Sequence, residues 1–290
     1  MQKSGLKALL AVLVMAAVGL LLASAAGRGL PTYGGLSLPL WSLLIAFGVQ
    51  WLAFIPAYLN HTERFYDLTG ALSNIAVVLV CFSLSVETDR NYLLAGLIVI
   101  WALRLGGFLF WRVCVDGRDT RFDKIKINFY RFLVTWTLQA LWVFLISLAA
   151  ILAMASGVDK PLGWTAGIGF LCWLLGMVLE VAADVQKRRF RADLRNQGQF
   201  IRQGLWAWSR HPNYFGEILV WIGVCIIAFP ALSGCLYLGL LSPLFVILVL
   251  TKVTGIPLLE ASANRRWGSD PNYQQYKAQT PLLIPRIPRP

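Results

Sequence analysis

Residues 180–221 read EVAADVQKRRFRADLRNQGQFIRQGLWAWSRHPNYFGEILVW, and the fold turns on this stretch. An apolar run passes into a dense basic segment. A turn over Ser209-Arg210-His211-Pro212-Asn213 follows, and a second apolar run begins. Pro212 suits the first turn of that second helix, where the missing N–H costs no hydrogen bond. At helical spacing Glu180, Asp184, Lys187/Arg188, Arg191 and Arg195 fall on one stripe, and Asn213 and Glu217 share a face one turn apart. Glu180, Asp184 and Glu217 lie inside runs long enough to be membrane-embedded. A carboxylate at that depth is expensive and marks a functional candidate.

The rest of the chain supplies the setting. Of its 290 residues 58% are hydrophobic and only 14% charged, which points to a polytopic membrane protein. Apolar runs over 5–26, 38–58, 68–86, from about 91, and over 132–155, 162–185, 214–231 and 235–259 predict an all-α bundle of about eight transmembrane helices. The whole chain, 1–290, reads as a single membrane domain. The first 26 residues fit either a signal peptide or a retained first helix, and the length of the apolar run favours retention. A polar tail from Glu260 is expected to end in an irregular Pro/Arg-rich segment.

With eight spans and both termini on one side, that side holds 21 of the 26 Lys/Arg residues, and the positive-inside rule makes it cytoplasmic. The net charge of +12 therefore reflects membrane topology and attraction to anionic lipids, and nucleic acid is excluded as a partner. The cysteines (81, 114, 172, 225, 235) are scattered without a CxxC, and His61 and His211 are far apart, so no metal site is expected.

A polyanionic cofactor meeting an apolar substrate needs cations at the membrane edge and a polar cavity reaching inward. Lys187, Arg188, Arg189, Arg191, Arg195, Arg202 and Arg210 supply the cations, with bidentate geometry for phosphate. Asp184, Asn213 and Glu217 suit sugar hydroxyls and an amide. The alternative is that the arginines only grip lipid headgroups, a role that does not need the buried acids.

The segment Gly204-Leu205-Trp206-Ala207-Trp208-Ser209-Arg210-His211-Pro212-Asn213-Tyr214-Phe215-Gly216-Glu217 resembles the signature of the membrane steroid 5-alpha-reductase superfamily, which includes the sterol delta-14 reductases. A weaker likeness over 66–285 runs through Trp101 to Gly106, Asp119-Thr120-Arg121, Lys252 to Glu260 and Tyr276, and looks like the superfamily's bacterial branch. The resemblance implies NADPH-dependent reduction of a carbon–carbon double bond in a steroid-like or other enone lipid, at a bacterial inner membrane. By position it implies that Asp184, Arg188, Arg191, Asn213 and Glu217 line the NADPH site within the 180–221 core, with Tyr214 flanking it and Arg104 and Arg121 as further phosphate contacts. Membrane lipids and a lipid or steroid-like substrate are the implied partners.

One departure matters. Steroid reductases carry a Gln-Glu pair two residues before a proline of the second helix, and matching Pro56 to that proline puts Ala53 and Phe54 there. Either Glu63, Tyr66 or Asp67 takes the catalytic role of the missing acid, or the substrate is not a 3-keto steroid. Asp67 also reads as an N-cap for the helix beginning at Leu68, and Tyr66 as an interfacial aromatic. Two other functions fit less of the pattern. An isoprenylcysteine-type methyltransferase shares the Arg-His-Pro core, but S-adenosylmethionine carries no phosphate for the arginine stripe. A lipid-binding or transport protein would bind no nucleotide.

Overall fold

A computed structural model of the chain describes residues 3–287. The long helices are α1 (Lys3–Ala26), α2 (Leu38–Leu59), α3 (Tyr66–Ser83), α4 (Asp89–Asp116), α5 (Phe129–Ile146), α6 (Leu148–Ala155) and α7 (Trp164–Ala192). They are followed by α8 (Leu205–Trp208), α9 (Pro212–Ala228), α10 (Leu241–Leu248), α11 (Ile256–Trp267) and α12 (Pro271–Gln279). Among the described residues eight helical segments are long and apolar enough to cross a membrane. The chain is an all-α polytopic membrane protein. Among the described residues one strand pair, Thr32–Tyr33 with Leu36–Ser37, forms a tight hairpin between α1 and α2, turned by Gly34 and Gly35 at positive φ.

Helices begin and end where local chemistry dictates. Thr88 and Asn128 cap α4 and α5 by accepting from the N–H groups of Asn91 and Arg131. α9 starts at Pro212, as its fixed φ favours. Three readings of the sequence need correction. α3 starts at Tyr66 with Phe65 in the cap position, so Asp67 lies in the first turn, where an acid complements the helix dipole, and is not the N-cap. The fifth apolar run is broken at Ser147, whose Oγ donates to Asn74 Oδ1 at 3.0 Å. The eighth run is discontinuous: it passes through a 3-10 turn at Gly234–Leu240 and a π-turn at Val249–Val253. The expected irregular end holds for residues 280–287, while 288–290 lie outside the described residues.

The chain folds as two compact units, residues 1–165 with 227–242, and residues 166–226 with 243–290. In the first, α6, apolar on every face, is buried along its entire length. Phe54, Ala57, Phe122, Phe132 and Trp136 form an aromatic cluster near one end of α2 and α5. Phe54 is therefore a packing residue. Polar side chains bridge the helices: Gln50 Nε2 donates to Ser73 Oγ (3.0 Å) and Trp51 Nε1 to Thr137 Oγ1 (3.1 Å).

In the second unit, α7 and α9 run antiparallel in backbone contact. A Cβ on Gly216 would lie 2.6 Å from Gly176 O, and one on Gly223 would lie 2.5 Å from Gly169 O. The glycines are seven residues apart on each helix, so both pairs sit on one face. The tail returns along the turn before α9. Arg210 N donates to Pro281 O and Arg286 N to Trp208 O, each at 2.9 Å, and Ser209 Oγ donates to Leu283 O at 2.7 Å.

Candidate functional site

The glycine contacts set the register of the polar groups on α7 and α9. Beyond the Gly176–Gly216 contact, towards the carboxyl end of α7, Asn213 Nδ2 donates to Asp184 Oδ1 at 3.3 Å. Glu180 and Glu217, buried on the same two helices, border that contact. The acids singled out in the sequence are thus gathered at one helix crossing because glycine allows the backbones to touch. Tyr214 follows Asn213 and stacks its ring on His211, with centroids 5.7 Å apart. Arg188 lies half-buried on the last turns of α7.

Arg191 and Arg210 belong to a neighbouring cavity of about 200 Å³. Lys187, Arg266, Glu260 and His211 share its lining with Phe200, Trp206, Tyr273 and Tyr276. The break before α11 brings Glu260 here, where Arg210 Nη1 (2.5 Å) and His211 Nε2 (2.9 Å) both meet its carboxylate. Burial pushes the His211 pKa down, aided by Lys187 and Arg210, and the Glu260 contact only partly offsets this. The neutral ring then gives its Nε2–H to Glu260, leaving Nδ1 a sealed acceptor without a partner among the described residues. Tyr276, pushed up by burial, donates its hydroxyl to Trp206 O at 2.7 Å. Trp206 is a core residue: it is buried, donates to Ala183 O at 3.0 Å and carries Lys187 Nζ over its ring at 4.4 Å.

The first unit holds Glu63, Tyr66, Asp67, Arg104 and Arg121. Glu63 is locked. Its carboxylate accepts from Lys126 Nζ at 2.6 Å and from Asp119 N at 2.9 Å. Burial alone would raise its pKa, but these bonds outweigh burial and hold it below the ordinary carboxylate range. Tyr66 spends its hydroxyl on Thr135 O (3.1 Å), with its ring between Phe122 and Trp136. Asp67 is different: Arg112 and Arg121 approach it only to 3.9 Å, beyond hydrogen-bonding range. Arg121 is itself clamped to Asp119, and Arg104 lies over the ring of Phe108 at 5.6 Å.

Asp67 opens onto a cavity of about 130 Å³ among α3, α4 and α5, lined also by Asn74, Trp101, Gly106 and Gln139. Asn74 and Gln139 were not singled out in the sequence. Their signal was present, since each is an amide inside an apolar run. Glu260 pairs with an arginine, as its sequence setting allows, but which arginine was not legible, because the contact with Arg210 spans 50 residues.

A family model described as a protein of unknown function (DUF1295) matches residues 53–280, most of the chain. The chain belongs to the DUF1295 family. The match includes the α7–α9 crossing, the basic cavity and the Asp67 cavity. This DUF1295 chain is 23% identical over 192 residues to an uncharacterised protein of Schizosaccharomyces pombe, covering 56% of the chain and 55% of that protein. It is 28% identical over 119 residues to the 3-oxo-5-alpha-steroid 4-dehydrogenase 1 of Rattus norvegicus, covering 41% of the chain and 40% of the enzyme. The corresponding figure for the Mus musculus enzyme is 27% over 117 residues. The chain thus spans about half or less of the length of the curated relatives it matches. The likeness to the steroid 5-alpha-reductase superfamily is supported by the family and by both dehydrogenases. No solved structure matches the chain.

Proposed function

We propose that this protein is an NADPH-dependent membrane reductase acting on a carbon–carbon double bond of an enone lipid. The observation that carries the reading is the basic, aromatic cavity beside the Asp184–Asn213 pair, in a chain similar to two 3-oxo-5-alpha-steroid 4-dehydrogenases. The residues present suit the cofactor. Lys187, Arg191 and Arg266 offer charge to phosphates, and the half-buried rings of Phe200, Trp267 and Tyr276 offer surface for a base. At about 200 Å³ the cavity is smaller than the ~300–1,000 Å³ of pockets that enclose a whole ligand, so it would take the phosphate and base end. Asp184, Asn213 and Glu217, with Arg188 and Tyr214, would hold ribose and amide groups.

The cofactor, when bound, supplies a hydride to an electrophilic carbon. The chain's own part is to position that cofactor, exclude water and meet the negative charge that develops on the substrate oxygen. Glu63 and Tyr66 are committed to protein hydrogen bonds, so Asp67 is the residue of the three best placed to face a substrate. The basic face is taken as cytoplasmic, where soluble NADPH is available, and the lipid substrate enters from the bilayer.

The test is NADPH binding to the detergent-purified full chain, with NADH and S-adenosylmethionine in parallel, for wild type and Arg191→Ala. Selective NADPH binding lost in the variant is the expected result. Binding of S-adenosylmethionine alone would replace the reductase with a methyltransferase. Binding of neither by folded protein would remove both.

A further inference from the structure

The cavity among α3, α4 and α5 differs from the basic cavity in kind: it lies between transmembrane helices and carries amides in place of cations. Asp67, Gly70, Ala71 and Asn74 line it from one face of α3. Trp101, Leu105, Leu109 and Val143 make much of the remaining wall apolar. Its volume, about 130 Å³, is close to the ~150 Å³ of an apolar protein cavity that takes a benzene ring, so it holds one six-membered ring.

The two amides of this wall differ in what they still have to offer. Asn74 is engaged through both atoms: Nδ2 donates to Gly70 O (3.2 Å) and Oδ1 accepts from Ser147 Oγ (3.0 Å). Gln139 is engaged through neither. Its Oε1 is turned away and sealed, while Nε2 is not sealed and donates to no group among the described residues. Nε2 lies over Gly70, in the space a Cβ there would need, and Gly70 lines the cavity. The amide therefore presents its N–H₂ edge to this space. Asp67 is one turn away on α3, about 4.5 Å along the axis. Arg112 and Arg121, each at 3.9 Å, offset its charge, so an oxygen placed beside Nε2 does not meet an uncompensated anion. A donor left without an acceptor in apolar surroundings costs about 1–3 kcal/mol. The site thus suits an apolar ring that brings an acceptor. A ring ketone does so, because its oxygen accepts and needs no acceptor in return.

We propose that Gln139 is the carbonyl anchor of the lipid substrate: its Nε2 donates to the oxygen of a ring ketone whose carbons lie against Trp101, Leu105 and Val143. That the bound ketone is a substrate rests on the reductase reading; that it binds here does not. On that reading the same donor meets the negative charge that develops on the ketone oxygen, from a position set by Gly70 before the substrate arrives.

The test is thermal stabilisation of the full chain in phospholipid nanodiscs, with and without NADPH. It is titrated with a cholestenone bearing the conjugated ketone and with the matching cholestene, which has a methylene in place of the carbonyl. The nucleotide-free arm reads the site even if NADPH does not bind, so failure of this proposal and failure of the reductase reading stay distinct. The expected result is an apparent affinity for the ketone about tenfold above that for the hydrocarbon. Gln139→Met, of similar length and without a donor, should erase that preference. Gly70→Ala keeps the amide but drives Nε2 aside, and should reduce the same preference. It keeps the test valid if the first variant does not fold. A purely structural role for Gln139 would weaken both probes together and leave their ratio unchanged. Equal binding of the two probes in both arms, no stabilisation by the ketone in either, or a ratio unmoved by Gln139→Met and Gly70→Ala each overturns the proposal.

Discussion

Gly176 and Gly216 touch backbone to backbone: a Cβ added to either would lie 2.6 Å from the other's carbonyl oxygen. No rotamer change relieves such a contact, because the obstructing atom belongs to the main chain. Gly216→Ala is therefore expected to push α7 from α9, at a cost of about 1–3 kcal/mol, and to separate Asp184 from Asn213. Gly167→Ala, on α7, meets nothing within 4 Å and should be neutral or stabilising. Thermal midpoints of the two purified variants check this, and equal midpoints would show that the crossing is not held by the glycines.

This contact also shows what the sequence could and could not convey. The eight apolar runs were legible because length and hydropathy are local properties, and Pro212 marked its helix start for the same reason. The glycines at 169, 176, 216 and 223 are visible as two heptad-spaced pairs, but spacing alone does not say that they face each other. The break at Ser147 was hidden inside a continuous apolar run, since its partner Asn74 is 73 residues away. Asp67 was misread as a cap because the helix starts just upstream, at Tyr66, which its apolar run beginning at Leu68 does not disclose. The arginine stripe was found, yet its division between the α7–α9 crossing and the cavity of Glu260 depends on a helix break that sequence periodicity does not locate.

Glu63 ties the loop before α3 to the loop before α5 through Lys126 and Asp119 N. Glu63→Gln keeps the shape but loses charge assistance in both bonds, and should cost about 2 kcal/mol. Because the folded pKa lies below the ordinary 4.5, the carboxylate's contribution is fully present above about pH 4.5 and is lost as pH falls below it. Asp119, also held below its ordinary range as Arg121 outweighs burial, acts in the same sense at slightly lower pH. Limited proteolysis of the 117–128 loop should accelerate in Glu63→Gln at pH 7, and the difference from wild type should shrink progressively as pH falls below about 4.5.

Arg90 is 1% exposed, and the acceptors it meets are carbonyls, namely Ile227 O at 2.6 Å, Pro161 O at 3.1 Å and Lys160 O at 3.3 Å. Ile227 O lies at the carboxyl end of α9, where the helix dipole favours a cation. A lysine ammonium is a point donor that lacks the planar fork needed to serve the separate carbonyls. Arg90→Lys should therefore be almost as damaging as Arg90→Met, with each losing about 2 kcal/mol in chemical denaturation. Full rescue by lysine would mean that charge alone matters at this position.

His211 gives a second, separate pH dependence. Its folded pKa is lowered by burial, with Lys187 and Arg210 adding repulsion, while Glu260 pulls the other way. The unfolded chain therefore takes up the proton first as pH falls. Stability from this residue is complete above the ordinary value of about 6.5 and declines as pH drops below it. The thermal midpoint of the purified chain should fall between pH 7.5 and 5.5, well above the range in which Glu63 titrates. His211→Gln should flatten that segment of the profile. Glu260→Gln should steepen it, because the imidazolium would then form beside Lys187 and Arg210 without its counter-charge. A wild-type profile flat across this interval would show that His211 does not change charge between the folded and unfolded chain, and that the ring's contact with Glu260 persists in a single protonation state.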